Sequence, residues 1–169
     1  MKVTITPAPL QGSITPPPSK SQAHRVIIAA ALASGESLLR NLSPSQDITA
    51  TLGTMEALGA RFQWEGSTVR IQGIRPSGAC GPMDCGESGS TLRFLIPIAL
   101  AVAGGGTFRG HGRLMQRPQE PYFAIFREKG IAFSQRDDTL KVRGRLTPGV
   151  YTLPGNVSSQ FITGLLYAL

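Results

Sequence analysis

Three serines, Ser21, Ser90 and Ser159, recur at steps of 69 residues, and each stands shortly before an apolar run, at residues 26–33, 94–103 and 161–169. Two equal steps with the same order of elements are a poor product of chance. The period is longer than that of solenoid repeats, so it points to small α/β modules packed around shared buried helices.

The first period carries the pattern in detail. Ser19 or Ser21 caps a helix that runs to about Ala33 and stops near Gly35. It is apolar on nearly every side from Val26 onward, which predicts burial all round. Residues 38–42 read as a strand, and Asp47 caps a second helix with Ile48, Leu52 and Met55 on one stripe. Gly59 ends that helix, and strands at 61–64 and 68–74 flank the turn Glu65-Gly66-Ser67. The second period repeats this order. Ser88-Gly89-Ser90 opens a helix closed by Gly104, a strand covers 107–109, a helix begins at Pro121 and is capped by Gly130, and a hairpin of 131–135 with 139–142 turns at Asp137-Asp138. A third copy starts with a strand at 150–153 and the helix start Ser158-Ser159-Gln160. Upstream, residues 1–10 alternate as a strand and 13–15 read as another. The chain stops inside an apolar run without cap or polar tail, as expected of a piece of a longer protein.

Helix N-termini carry unpaired N–H groups and partial positive charge. Three equivalent modules side by side would present three of them on one face, joined by Lys20, Arg25 and Arg93: an electropositive platform for a phosphate or carboxylate. The balance of 17 basic to 10 acidic residues, a formal charge of +7, also favours anionic partners. The basic residues are scattered singly, without the runs or interleaved aromatics of a nucleic-acid binder, so small anions lead over a non-enzymatic anion- or nucleic-acid-binding domain. Gly86-Glu87-Ser88-Gly89-Ser90-Thr91 lacks the Lys-Ser/Thr ending of a P-loop. Cys80 and Cys85 are too few for a disulfide framework or a zinc site and read as reduced thiols. No signal peptide or membrane span is legible, and a cytoplasmic protein is expected. Nothing in the sequence places a carboxylate beside His24 or His111, and both are expected to be structural.

Four stretches then resemble one family. PPPSKSQAHR at 16–25, GESGSTLR at 86–93, GRLMQRP at 112–118 and GNVSSQFITGLL at 155–166 resemble, in order, the motifs of the 3-phosphoshikimate 1-carboxyvinyltransferases, also called 5-enolpyruvylshikimate-3-phosphate synthases. The resemblance implies transfer of the enolpyruvyl group of phosphoenolpyruvate to shikimate 3-phosphate, in the pathway to chorismate and the aromatic amino acids. It implies an α/β (α+β) fold of repeated βαβαββ units around buried parallel helices, one domain of a two-domain enolpyruvyltransferase fold. Residues 1–12 would be an opening strand belonging to the other domain, and residues 13–169 the substrate-binding domain, with repeats 13–77, 78–147 and an incomplete 148–169.

By motif, the resemblance assigns shikimate 3-phosphate to Lys20, Ser21, Arg25, Ser158, Ser159 and Gln160, and phosphoenolpyruvate to Lys20, Gly89, Arg117 and Gln160. Lys20 is the catalytic candidate. Arg93 and Arg113 are weaker ones, Arg93 being equally readable as half of a helix-face ion pair. No metal or organic cofactor, nucleic acid or membrane is implied. The partner is the missing C-terminal domain of the same protein, without which the chain should be nearly inactive. Two departures stand out: Glu87 replaces a common Asn and should repel phosphoenolpyruvate unless it points away or pairs with an arginine, and Phe94 replaces a common Pro. The related UDP-N-acetylglucosamine enolpyruvyltransferases use a loop cysteine, whereas Cys80 and Cys85 precede the glycine-rich helix.

Overall fold

Ser19 opens the first helix: its hydroxyl accepts the Gln22 N–H, and α1 runs over Lys20–Leu32. The computed structural model describes residues 2–9, 11–75 and 80–169. After α1 come β1 (Glu36–Leu39), α2 (Gln46–Ala57) and the hairpin β2 (Arg61–Glu65) and β3 (Thr68–Gln72). The second unit follows with β4 (Met83–Asp84), α3 (Gly89–Ala103), β5 (Gly105–Arg109), α4 (Glu120–Lys129) and the hairpin β6 (Ala132–Arg136) and β7 (Thr139–Arg143). Last comes α5 (Ser159–Ala168), capped by Ser158.

The sheets repeat as the helices do. The first has the order β1-β3-β2 and the second β4-β5-β7-β6, so β5-β7-β6 reproduces β1-β3-β2 strand for strand. All pairs are antiparallel except β4 with β5. The second unit thus has the full strand-helix-strand-helix-strand-strand order, and the first lacks only its leading strand. Alternation sets which face is covered: Val69, Ile71, Phe108, Leu140 and Val142 are buried while Arg70, Lys141 and Arg143 face outward.

Three expected strands are not formed. Residues 2–9, 13–15 and 150–153 have no regular structure, and Ile14 and Val150 are 90% and 80% exposed. A strand is held by its neighbours' hydrogen bonds, and among the described residues no strand pairs with these segments. Met1, Leu10 and the expected repeat junction at 77/78 lie outside the described residues. The cap of α2 is Ser45, whose hydroxyl accepts the Ile48 N–H; Asp47 sits inside the first turn.

Of the three apolar helices only α3 is covered on every side, with residues 94–100 buried throughout. It lies between α2, α5 and β5. Helix α1 is half-covered, with Ile27, Ile28 and Ala31 inward but Val26 exposed, and α5 leaves Ile162 and Leu166 exposed. The full burial read from their composition is therefore one-sided for these two.

The packing of α5 on α3 is close and parallel. Pro97 has no N–H to give to the Arg93 carbonyl one turn earlier. The buried Tyr122 hydroxyl of α4 supplies the missing donor at 2.7 Å and lies 3.0 Å from the Phe161 carbonyl of α5. At the same crossing a Cβ on Gly164 would fall 2.6 Å from the Arg93 carbonyl and closer still to the Tyr122 hydroxyl. Only glycine lets the two helices approach this closely.

Candidate anion-binding site

The starts of α3 and α5 meet in one cavity of about 370 Å³. Ser88, Gly89 and Ser90 line it from α3, Gln160 from α5, Arg93 and Arg117 bring positive charge, and Asp47 and Glu87 bring carboxylates. The Gln160 amide is held at both ends. Its Nε2 donates to Ser90 Oγ at 2.8 Å and its Oε1 accepts from Arg93 Nη1 at 2.9 Å.

Arg93 makes no ion pair among the described residues. Its guanidinium lies over the Phe161 ring at 4.8 Å and reaches the Pro118 carbonyl at 3.5 Å, while its buried Nε has no partner. Burial, then the neighbouring Arg117, lowers its pKa from the usual arginine value. Arg117 follows the short 3-10 turn Leu114–Gln116 and rests against the glycine of α3: a Cβ on Gly89 would fall 2.9 Å from Arg117 Nη1. Arg113, at the other end of that turn, is exposed and does not line the cavity.

Helix α1 reaches this site from the side of α2. Lys20 Nζ bonds Asp47 Oδ2 at 2.8 Å, which ties the lysine to a residue of the cavity wall. Arg25 donates to the Ser21 carbonyl at 2.8 Å and lies over the Phe94 ring at 5.3 Å. Phe94 therefore acts as a platform for Arg25, a use for the residue that replaces the common Pro. Ser21 and Ser159 stand exposed in the first turns of α1 and α5. Ser158 Oγ accepts the Gln160 N–H.

Beneath the cavity runs a polar chain that the sequence did not disclose. His24 Nδ1 lies 2.7 Å from Thr51 Oγ1, Thr51 Oγ1 lies 2.7 Å from Thr91 Oγ1, and Thr91 Oγ1 lies 2.7 Å from Ser88 Oγ. All four residues are buried. They link α1, α2 and α3 through partners 27 and 40 residues apart, a separation no local pattern reports.

Burial lowers the His24 pKa, with Asp47 opposing and Lys20 and Arg25 assisting. A histidine depressed in the folded state contributes stability that is complete above its unfolded pKa of about 6.5 and is lost as pH falls below it. The unfolding free energy from urea denaturation should therefore fall from pH 7.5 to pH 5.5, by at most about 1.4 kcal/mol per pH unit for this group. In His24→Gln that fall should be smaller.

His111 does have a carboxylate beside it, contrary to expectation. Its Nε2 lies 3.0 Å and 3.1 Å from the two oxygens of Asp84. The parallel pairing of β4 with β5 brings them together, and the Gly86 N–H, ahead of His111, lowers the Asp84 pKa. Both flank a larger cavity of about 640 Å³ walled by Pro44, Ala50, Gly53 and Pro82. Among the described residues its wall has no lysine or arginine, and the start of α2 that lines it, Ser45 and Gln46, faces a space shared with the Asp84 carboxylate, which opposes a polyanion. The cysteines are poor nucleophiles, as expected: burial raises the Cys80 pKa and pushes the Cys85 thiol up to about 12.

Glu87 lines the cavity and makes no ion pair among the described residues. Its carboxyl lies against Gly112, whose Cβ, if present, would fall 2.8 Å from Glu87 Oε1. Its charge thus opposes an anion in the cavity. Replacing Glu87 with Asn should strengthen binding of inorganic phosphate about three- to tenfold at low salt, from roughly 1 kcal/mol of relieved repulsion, and less at high salt. Phosphate titrations at two ionic strengths check this.

Among the described residues no helix is long and apolar enough to cross a membrane, and no cluster of three or more His, Cys, Asp or Glu could hold a metal ion. The family model for EPSP synthase (3-phosphoshikimate 1-carboxyvinyltransferase) matches residues 5–169. A 3-phosphoshikimate 1-carboxyvinyltransferase of Clostridium perfringens (strain SM101) is 45% identical over 172 residues, covering 99% of this chain and 41% of the relative. One of Clostridium acetobutylicum is 47% identical over 174 residues, covering 99% and 41%. The solved structure of EPSP synthase from Acinetobacter baumannii superposes with a TM-score of 0.79 at 26% identity, over 93% of this chain and 37% of that one. The chain thus spans about 41% of the length of the curated relatives.

Proposed function

The chain belongs to the EPSP synthase family, and from that premise we propose that it supplies the shikimate 3-phosphate half of an enolpyruvyl-transfer site. In the whole protein the 5-hydroxyl of shikimate 3-phosphate adds across the double bond of phosphoenolpyruvate, its oxygen to C2 as the hydroxyl loses its proton and C3 gains one. The resulting tetrahedral adduct then loses inorganic phosphate from C2 and a proton from C3, which restores the double bond and leaves the carboxyvinyl ether. Both substrates are polyanions, so the barrier is lowered by fixed donors that hold them together and meet charge as it develops.

Lys20, Ser21 and Arg25 from α1 and Ser158, Ser159 and Gln160 from α5 bind shikimate 3-phosphate. Lys20, Arg117, Gln160 and the open backbone at Gly89 meet phosphoenolpyruvate, and Lys20, touching both, is the catalytic residue. Arg93 serves by holding Gln160, and Arg113 has a lesser part. Residues 1–12 join the other domain, whose acid–base groups complete the site; residues 13–169 form the substrate-binding domain. The chemistry needs neither metal nor organic cofactor, and nucleic acid and membrane are not partners.

What supports this reading is the cavity in which two parallel helix starts and a clamped Gln160 converge, with Lys20 tied to its wall through Asp47 and with Arg117 against Gly89 on the phosphoenolpyruvate side. Calorimetric titration with shikimate 3-phosphate tests it. The chain should bind that ligand with an affinity that falls as salt rises, and should bind unphosphorylated shikimate at least tenfold more weakly. Equal affinity for the two would refute the reading.

A further inference from the structure

Ser88 caps a 15-residue helix and is 97% buried, yet it belongs to the wall of the anion cavity. A hydroxyl has two acceptor lone pairs and one proton. Ser88 Oγ accepts the Thr91 N–H at 3.2 Å, and Thr91 Oγ1 stands 2.7 Å away in donor geometry. With both lone pairs taken, the one Ser88 proton must leave Thr91 and point to the cavity.

Whether Thr91 donates depends on a residue deeper in the fold. The contacts from His24 through Thr51 and Thr91 to Ser88 are each 2.7 Å and each carries one proton; the Asp47 carbonyl, 3.3 Å from Thr51 Oγ1 and 3.4 Å from Thr91 Oγ1, is a longer and weaker acceptor, so the short contacts have two consistent orderings. With the ring proton on Nδ1, His24 donates to Thr51, Thr51 to Thr91 and Thr91 to Ser88, and Ser88 offers its proton outward. With the ring proton on Nε2, Thr51 donates to His24 and Thr91 to Thr51; Ser88, which in the observed geometry accepts from Thr91, must then turn its own proton to Thr91 and shows the cavity a lone pair. The orderings differ in three hydroxyl rotations and one ring proton, released at Nε2 and taken up at Nδ1 by exchange with water. Net charge is unchanged.

An anion in the cavity binds one ordering and is repelled by the lone pair of the other. We infer that Ser88 is a further anion-binding donor of this site, and that His24, acting through Thr51 and Thr91 as positioning residues, sets the direction of its hydroxyl. The charged groups facing His24 are Lys20 and Arg25 on its own helix and Asp47 on α2, and the Phe94 ring of α3 meets it edge-on at 6.3 Å. None of these competes for Nδ1, which faces Thr51. The inference rests on the reading that the two anionic substrates share this cavity, shikimate 3-phosphate reaching it at Gln160.

The test is nitrogen-15 NMR of the His24 ring in the full chain, titrated with shikimate 3-phosphate, alongside calorimetry of variants. Saturation should move His24 to the Nδ1–H tautomer. Ser88→Ala should weaken binding about tenfold or more, the scale of one hydrogen bond to a charged group. Thr51→Val, which interrupts the chain but leaves Ser88 in place, should abolish the ring response while costing less affinity than Ser88→Ala. Binding with unmoved ring nitrogens, or full affinity in Ser88→Ala, overturns this inference and leaves the functional reading standing. No binding by the unsubstituted chain overturns both.

Discussion

Replacing Lys20 and Arg25 together with alanine is expected to weaken shikimate 3-phosphate binding about a hundredfold or more while leaving the fold almost as stable. Each side chain would give a phosphate or hydroxyl a charge-assisted hydrogen bond, worth about 1.5–3 kcal/mol, so the pair accounts for at least two decades in Kd. Lys20 must exchange part of its bond to Asp47 for the ligand, which places its share at the lower end. Arg25 is already oriented, held to the Ser21 carbonyl and laid over Phe94, so it loses little freedom on binding. Stability should change by less than about 1 kcal/mol, because the Lys20 side chain is 63% exposed and solvent screens its pair with the half-buried Asp47. Calorimetry for affinity and urea denaturation for stability separate the two effects. Unchanged affinity would remove α1 from the site.

Gly164→Ala is expected to damage fold and site together. Its methyl would press on the Arg93 carbonyl, which is backbone, and on the Tyr122 hydroxyl that satisfies that same carbonyl. Neither can yield without leaving a buried acceptor unpaired. Overpacking of this kind costs about 1–3 kcal/mol, and the disturbed hydrogen bond adds about 1 kcal/mol or more. Relief comes only by moving α5 away from α3. That movement carries Gln160 off Ser90 and Arg93, so phosphate affinity should fall even in molecules that remain folded. A substitution that lowered the urea midpoint without touching affinity would show that the crossing does not position Gln160.

Much of this arrangement was legible in the sequence because it rests on local chemistry. The serines at the heads of α1, α3 and α5 were readable from the capping rule, and the 69-residue step of Ser21, Ser90 and Ser159, which follow the caps Ser19, Ser88 and Ser158 by one or two residues, made three readings of one. The hairpin at Asp137-Asp138 was readable from turn residues between alternating runs, and there Asp137 adopts a positive φ of 49°. Illegible were features decided by distant partners. Residues 2–9 and 150–153 alternate as strands do, yet alternation without a neighbour makes no ladder. The two-residue β4 has too little pattern to read and exists because β5 lies beside it.

The site divides the same way. Motif resemblance named Gln160, Gly89 and Arg117, and these meet in one cavity. It left Arg93 between two uses, and the structure shows it holding an amide instead of a carboxylate. Thr51 and Thr91 read as ordinary helix residues, each on the buried side of its helix. Only the packing of three helices makes them links to His24 and Ser88.

The central claim is that the starts of α1, α3 and α5 serve one shared site for anionic substrates. Backbone amide shifts of the nitrogen-15-labelled chain, followed during titration with shikimate 3-phosphate, test it most directly. The account predicts that amides of residues 20–25, 88–93 and 159–161 shift together with one dissociation constant. Shifts confined to one helix start, or centred on Asp84 and His111 at the larger cavity, would contradict it.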